Sequence, residues 1–425
     1  MNKSILLRPL TRGPENHFFG YYDKCPWDRK GNRILAHRTS FIDRFPNPND
    51  QAEIGYISPN AGNEFVKIAD TTAWNWQQGS QLQWLPKRLV DTEQIIFNDR
   101  QEGQLVAVIL DPATGEKRVI DMPIYTVSPS GRYALSLNYA RLFETRMDYG
   151  IAGLEDKWRD VMCPEDDGIY RVDLQTGVTN LIVSIAQGAA VHRCPLGEGV
   201  KNWVNHMMFN PSGRRFCFLH RFLRDDGIMH SRLLTADSDG SDLRLLFEGM
   251  VSHYCWKDET TILAWAGKRK ILGDGKRKPS LFMMSARRCL KPIYYAMGKP
   301  RVLMQKVVGD SYYLIQNTPK GTVERFACGR LTTDGHCTLS PDGGWMLTDG
   351  YTDKRNRLPL FLYNVSTQEV IEIGRFPTPK VLDGPVRVDL HPRFNRDSTR
   401  VCIDSAMDGT RQMYVIDISE IVGSA

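Results

Sequence analysis

One tight turn recurs along this chain and constrains its fold more than any other feature. Ser128-Pro129-Ser130-Gly131, Asn210-Pro211-Ser212-Gly213 and Ser340-Pro341-Asp342-Gly343 are close copies. Asp28-Arg29-Lys30-Gly31, Leu85-Pro86-Lys87-Arg88, Lys257-Asp258-Glu259-Thr260 and Asn395-Arg396-Asp397-Ser398 are degenerate ones. Proline presets φ for the turn, and Asp or Gly completes it. A large apolar residue stands just before each copy: Trp27, Trp84, Val127, Phe209, Trp256, Leu339 and Phe394. A β-rich run such as Arg215-Phe216-Cys217-Phe218-Leu219 follows, so each unit reads strand, turn, strand.

A four-stranded propeller blade needs roughly 40–50 residues, which is close to the usual spacing of these markers. The intervals Val127 to Phe209 and Trp256 to Leu339 are nearly double that. Each holds an insertion, a charged helix-compatible stretch over 139–167 and a basic, Met-rich one over 268–305. Segments such as Gly168 to Gly177 supply the second half of a blade, and helical periodicity is otherwise nearly absent. The expectation is an all-β chain, a single domain over residues 1–425, folded as a seven-bladed β-propeller with loop and helical insertions. Ring closure leaves few exposed strand edges. The run Ser4 to Leu10 is expected to complete the last blade as its outer strand. Two stacked β-sandwiches are the alternative architecture.

Composition narrows the function. Hydrophobic residues make up 41%, enough for a large core, and the net charge is only +6. The densest basic run, Lys268 to Lys278, reads as a solvated loop, so no nucleic-acid partner is expected. No stretch reaches the roughly 18 apolar residues of a membrane span. The N-terminal apolar run is too short for a signal-peptide core. Nine cysteines without CxxC spacing suggest reduced thiols and a cytoplasmic location.

The repeat register points to the functional residues. The position three residues before each marker holds Lys24, Gln81, Ile124, His206, His253, His336 and His391. Four of nine histidines thus fall in one structural position and should converge on one end of the channel. Converging imidazoles suit a divalent transition metal. Asp389 lies two residues before His391 and points the same way on a strand, as a ligand or as an orienting group. Cys337, turned away from His336, reads as a buried structural thiol. A second polar cluster lies in the N-terminal units: Asn16-His17-Phe18-Phe19-Gly20-Tyr21-Tyr22, His37-Arg38, Trp74 to Gly79 and Asn98-Asp99-Arg100.

At these residues the chain resembles the propeller polysaccharide lyases. The resemblance is carried by Asn75-Trp76-Gln77-Gln78-Gly79, Asn205 to Pro211, Ser231 to Ser241, Ser252-His253-Tyr254-Cys255-Trp256, Gly335 to Gly343 and Leu390 to Phe394. These look like oligogalacturonate lyases over nearly the whole chain and like ulvan lyases in the N-terminal half. The resemblance implies β-elimination on acidic oligosaccharides. A base removes the proton at C5 of a uronate, and the glycosidic oxygen leaves from C4. Something must neutralise the carboxylate, and an acid must assist the leaving group.

The resemblance implies two competing sites. In the ulvan-lyase pattern His17 and His37 are the histidine pair and Arg100 the neutraliser. Tyr21, Tyr22 and Tyr139 are then the candidates for the tyrosine. In the oligogalacturonate-lyase pattern a metal, Zn or Mn, binds the carboxylate, with His206 or His253 as base and Arg232 assisting. His253, His336, Asp389 and His391 would surround that metal. The glutamine that helps hold it in that family has no counterpart near His391, where Arg387-Val388-Asp389-Leu390-His391 stands. The preferred assignment takes His17, His37, Arg100 and His206 as catalytic, Gln78, Tyr139 and Arg232 as substrate-binding, and the C-terminal cluster as a metal site. The competing function is a non-catalytic propeller that binds a glycan or a protein.

Overall fold

The computed structural model describes residues 6–59, 62–86, 93–192, 194, 197–224, 229–267, 309–318 and 321–423. The 268–305 insertion, Lys87 and Arg88 of the second turn, and Ser4 lie outside them. The described chain is all-β with short helices, arranged as five four-stranded sheets and one seven-stranded sheet, all antiparallel.

Every apolar marker sits where the sequence places it, on an inner strand paired across its turn. The pairs are Trp27↔Ile34, Trp84↔Ile95, Val127↔Ala134, Phe209↔Phe216, Trp256↔Ile262, Leu339↔Met346 and Phe394↔Val401. We number the units 1–7 in that order. The turn chemistry is visible in the backbone. The N–H groups of Gly131, Gly213 and Gly343 donate to the carbonyls of Ser128, Asn210 and Ser340 at 2.8, 2.9 and 2.8 Å. All three glycines are left-handed, with φ of 69–73°, a conformation that costs glycine nothing.

Units 4 and 5 share one long strand, Arg244–Trp256. Its register shifts near Leu233/Leu234 and again between Val251 and Tyr254. Such bulges bend a strand, so its first half is the outer strand of unit 4 and its second half the inner strand of unit 5. Unit 7 is completed from the other end of the chain: Leu6–Pro9 pairs with Gln412–Asp417, from Leu6↔Asp417 to Pro9↔Tyr414. The expected outer strand is therefore present.

The core lies between neighbouring sheets. One cluster joins Ile96 and Ala107 of unit 2 to Ala134 and Val172 of unit 3. Others join Leu135 to Phe216, Leu219 to Ile262, Trp265 to Met346, and Leu347 to Val401. A further cluster links Cys402 and Met413 of unit 7 to Trp27 and Ile34 of unit 1 and Trp84 of unit 2. Every unit thus packs on both neighbours, which fits a β-propeller and not a pair of sandwiches.

The 139–167 insertion opens with the helix Tyr139–Thr145, capped by Asn138, whose side chain accepts from the Arg141 N–H at 2.9 Å. Arg141 is buried and organises the rest. It donates to the carbonyls of Trp158, Val161, Met162 and Asn202 and pairs with Asp156 at 3.2 Å. Among the described residues no helix is long and apolar enough to cross a membrane. The described cysteines form no disulfide.

Candidate functional site

The four register histidines do converge. The rings of His253 and His336 lie 4.1 Å apart and those of His336 and His391 4.4 Å apart. His206 joins them through Tyr21, whose ring stacks on His206 at 5.2 Å and meets His391 and His336 edge-on at 5.0 and 5.7 Å. The register also has a backbone signature. Gln81, His206 and His391 all have positive φ, at 59°, 52° and 41°. Non-glycine residues seldom adopt this conformation, and it often marks functional positions.

Tyr21 reaches the axis because unit 1 departs from the regular repeat. Its inner strand pairs over Asn16–Phe18 and then again only at the single bridge Trp27↔Ile34. Gly20 follows at φ 134°, so close to unit 2 that a Cβ there would lie 2.9 Å from the Gln78 carbonyl. The buried Arg393 guanidinium takes the carbonyls of Gly20 and Tyr21 and pairs with Asp404 at 3.1 Å. The Tyr21 hydroxyl is buried and has no hydrogen-bond partner among the described residues. Tyr22 is held differently: its hydroxyl donates to the Tyr254 carbonyl at 2.8 Å and accepts the Tyr254 N–H at 3.0 Å.

Carboxylates orient the imidazoles. Asp349 sits 3.0 Å from His336 Nδ1 with both oxygens and also accepts the His336 N–H at 2.7 Å. Asp334 lies 2.9 Å from His253 Nδ1. Burial alone would lower the pKa of His336, but Asp349, helped by Asp389 and Asp334, outweighs it and raises it. Burial pushes His391 well down, reinforced by the charges of His336 and Arg393. Asp389 is buried, and Arg387 (2.8 Å) and His336 outweigh that burial and hold its pKa low.

This chemistry fits a divalent cation. Ligand atoms of His336, Asp389 and His391 lie within 4.8 Å of one another, and all three residues are buried. His391 Nε2 is buried and has no partner among the described residues, a state that usually costs about 1–3 kcal/mol. Two nitrogens and one carboxylate oxygen suit Zn or Mn, and Asp349 supplies the carboxylate–histidine orientation typical of metal ligands. His253 lies beside this group but outside it, with Nδ1 turned to Asp334.

The groups around His206 are cationic and phenolic. The Tyr125 hydroxyl lies 3.2 Å from His206 Nδ1 and accepts from Gln78 Nε2 at 2.6 Å. Gln78 is thus linked to His206 through Tyr125. Tyr149, from the insertion, meets His206 edge-on at 4.8 Å and accepts at its hydroxyl from Arg387. Arg221 is buried and, among the described residues, donates to Ser231 Oγ and the Val251 carbonyl, each at 3.0 Å. No carboxylate among the described residues pairs with it. Burial first, then Arg146, lowers its pKa to about 10.

Several of the expected site residues lie apart from this group. His17 and His37 do not share a pocket. His17 pairs with Arg38 and Phe18 with His37, and adjacent residues on a strand face opposite ways. His17 therefore turns toward Gln412 (3.1 Å) and Phe65, whereas His37 stacks on Phe18 and meets Ser80 Oγ at 2.8 Å. Arg100 donates to the carbonyls of Ala152 and Gly153 and fastens the insertion. Tyr139 donates its hydroxyl to the Ile124 carbonyl at 2.8 Å. Arg232 is spent on the carbonyls of Gly188, Ala189, Val191 and His192.

His37 has a role in stability instead. It is fully buried, and burial lowers its pKa to about 4, against 6.5 when exposed. The folded state therefore binds fewer protons than the unfolded one. Its contribution is complete above pH 6.5 and is lost as pH falls toward 4, roughly 3 kcal/mol in all. Urea midpoints should fall across that window, and His37→Asn should flatten the slope. An unchanged slope in the variant would exclude His37 as the source.

The sequence reading missed Asp349, Asp334, Arg221, Tyr125 and Tyr149. Asp349 carries a readable signal. The third residue beyond the paired second-strand position is His37 in unit 1, Asn98 in unit 2, Asp349 in unit 6 and Asp404 in unit 7. All four are buried and polar, and each bonds to an inner-strand region.

No family model matches the sequence, and no curated protein does. Solved structures do. The oligogalacturonate lyase of Vibrio parahaemolyticus is 14% identical, with a TM-score of 0.59, covering 98% of this chain and 94% of that one. An oligogalacturonate lyase in complex with manganese is 16% identical, with a TM-score of 0.61 and the same coverage. Over essentially its whole described length, this chain has the β-propeller fold of the oligogalacturonate lyases.

Proposed function

We propose that this protein is a seven-bladed propeller lyase that cleaves uronic-acid-containing oligosaccharides by β-elimination in the axial pocket. The observation that supports this most is the buried His336–Asp389–His391 group with its unpartnered His391 nitrogen, facing the His206, Tyr21 and Arg221 wall. The manganese complex of a similarly folded lyase adds to it. When bound, a divalent cation, Mn or Zn, supplies positive charge for a uronate carboxylate and so acidifies the C5 proton.

The chain's own groups do the rest. Arg221, a buried cation without a carboxylate of its own, is suited to a substrate carboxylate. His206, held through Nδ1 by Tyr125, accepts the C5 proton. The C5–H electrons form the C4=C5 double bond, and the C4–O bond breaks. The departing oxygen takes a proton, for which the unpartnered Tyr21 hydroxyl is placed beside His206. Burial keeps that phenol protonated, since it drives its pKa far up.

The test is ultraviolet absorbance of the conjugated unsaturated uronate, followed on a panel of uronate oligosaccharides with added Mn or Zn. A rise with at least one glycan that His206→Ala abolishes is expected. No rise with any of them would overturn the reading and leave a binding propeller.

A further inference from the structure

A second cluster of metal-ligand side chains lies away from the axis, on unit 4. It is built from three separate segments. Arg232 captures the carbonyls of Gly188, Ala189, Val191 and His192 and so holds the 185–192 segment against the sheet. That brings Cys194 over two neighbouring strands, one carrying His230 and the other Glu248. The His230 ring is fixed by stacking on Phe222 at 4.9 Å and 25°. Its Nε2 lies 3.2 Å from Glu248 Oε1. Glu248 in turn lies 3.8 Å from Arg232 Nε.

We infer that Cys194, His230 and Glu248 form a second metal site, for a zinc-class divalent cation, that clips this segment to the unit 4 sheet. One ligand atom from each residue lies within 4.8 Å of the others. Ligands at 2.0–2.3 Å from one tetrahedral ion stand about 3.3–3.8 Å apart, so closure needs only small rotamer adjustments. A sulfur, a nitrogen and an oxygen donor together favour a borderline cation over a hard one. Cys194 and Glu248 are partly exposed, which gives the ion an entry path and a fourth position for water. Arg232 plays the supporting part, holding Glu248 at 3.8 Å and fastening the segment next to the thiol.

The inference is independent of the lyase reading, and its readout is spectroscopic. The axial group contains no sulfur, so the two sites are distinguishable in one protein. The full chain is stripped of metal and loaded with cobalt(II). A thiolate-to-cobalt charge-transfer band in the near ultraviolet is expected in the wild type and in His336→Ala. It should vanish in Cys194→Ser, with one equivalent of metal lost on elemental analysis. Far-ultraviolet circular dichroism checks that the variant is folded. If Cys194→Ser does not fold, Glu248→Gln retains the thiol and should weaken cobalt affinity at least tenfold. Absence of the band in the wild type would overturn the site. So would its persistence in Cys194→Ser, or unchanged affinity in Glu248→Gln.

Discussion

Arg393→Met is expected to destabilise the protein by about 3–5 kcal/mol, the usual cost of removing one member of a buried ion pair. Arg393 is 1% exposed and Asp404 2%. The guanidinium pairs with Asp404 at 3.1 Å and accepts no help from solvent. Methionine matches the stem but leaves the carboxylate buried and uncompensated. Asp404 keeps only a long contact to the Phe19 N–H, at 3.4 Å. The same change releases the Gly20 and Tyr21 carbonyls and so frees the tyrosine at the axis. Equilibrium urea denaturation measures the first effect. An Asp404→Asn, Arg393→Met double variant should be less destabilised than the sum of the two singles, because the stranded charge is gone. Additivity of the two would show that the pair is not coupled.

If the proposed lyase reading holds, His336→Ala abolishes metal retention at the axis and lowers turnover by at least ~1,000-fold, since cation stabilisation of developing charge supplies several kcal/mol. His336 occupies the middle of the site. It touches His253 and His391 by ring contact and Asp349 by hydrogen bond. Asp349→Asn is the graded companion. It retains the imidazole but removes the anion that fixes its orientation, and metal affinity should fall about 10–100-fold. Elemental analysis after dialysis and initial rates on the responsive glycan separate the two. Wild-type rates in His336→Ala would remove the axial metal from the reaction.

The turns were legible because Pro, Asp and Gly each do a defined job at fixed positions, and seven apolar markers kept the register through two insertions. That register also brought out His206, His253, His336 and His391, because an inner-strand position maps to one place at the axis. The N-terminal group was not legible. His17 and His37 lie on different strands, and only the pairing His17↔Arg38 reveals that they face opposite ways. Arg232 resembles a substrate clamp in sequence, yet its partners are backbone carbonyls of a segment more than thirty residues upstream. Backbone groups leave no trace in composition. Tyr21 was one of three tyrosine candidates. It is singled out by the departure of unit 1 from regular pairing at Gly20, which depends on contacts with Gln78 and Arg393.

The pairing of Leu6–Pro9 with Gln412–Asp417 has a kinetic consequence. The two strands stand at opposite ends of the described chain, so the earlier one finds its partner only after all the intervening units have been made. Until then unit 7 lacks its outer strand, and the interface between unit 7 and unit 1 cannot form. Closure over so long a sequence separation is slow, because the chain gives up loop entropy before any contact rewards it. Early units therefore wait as an open arc with a bare apolar flank, the kind of species that aggregates. A chaperone that covers this flank is therefore expected to raise the refolding yield most before the two strands have met.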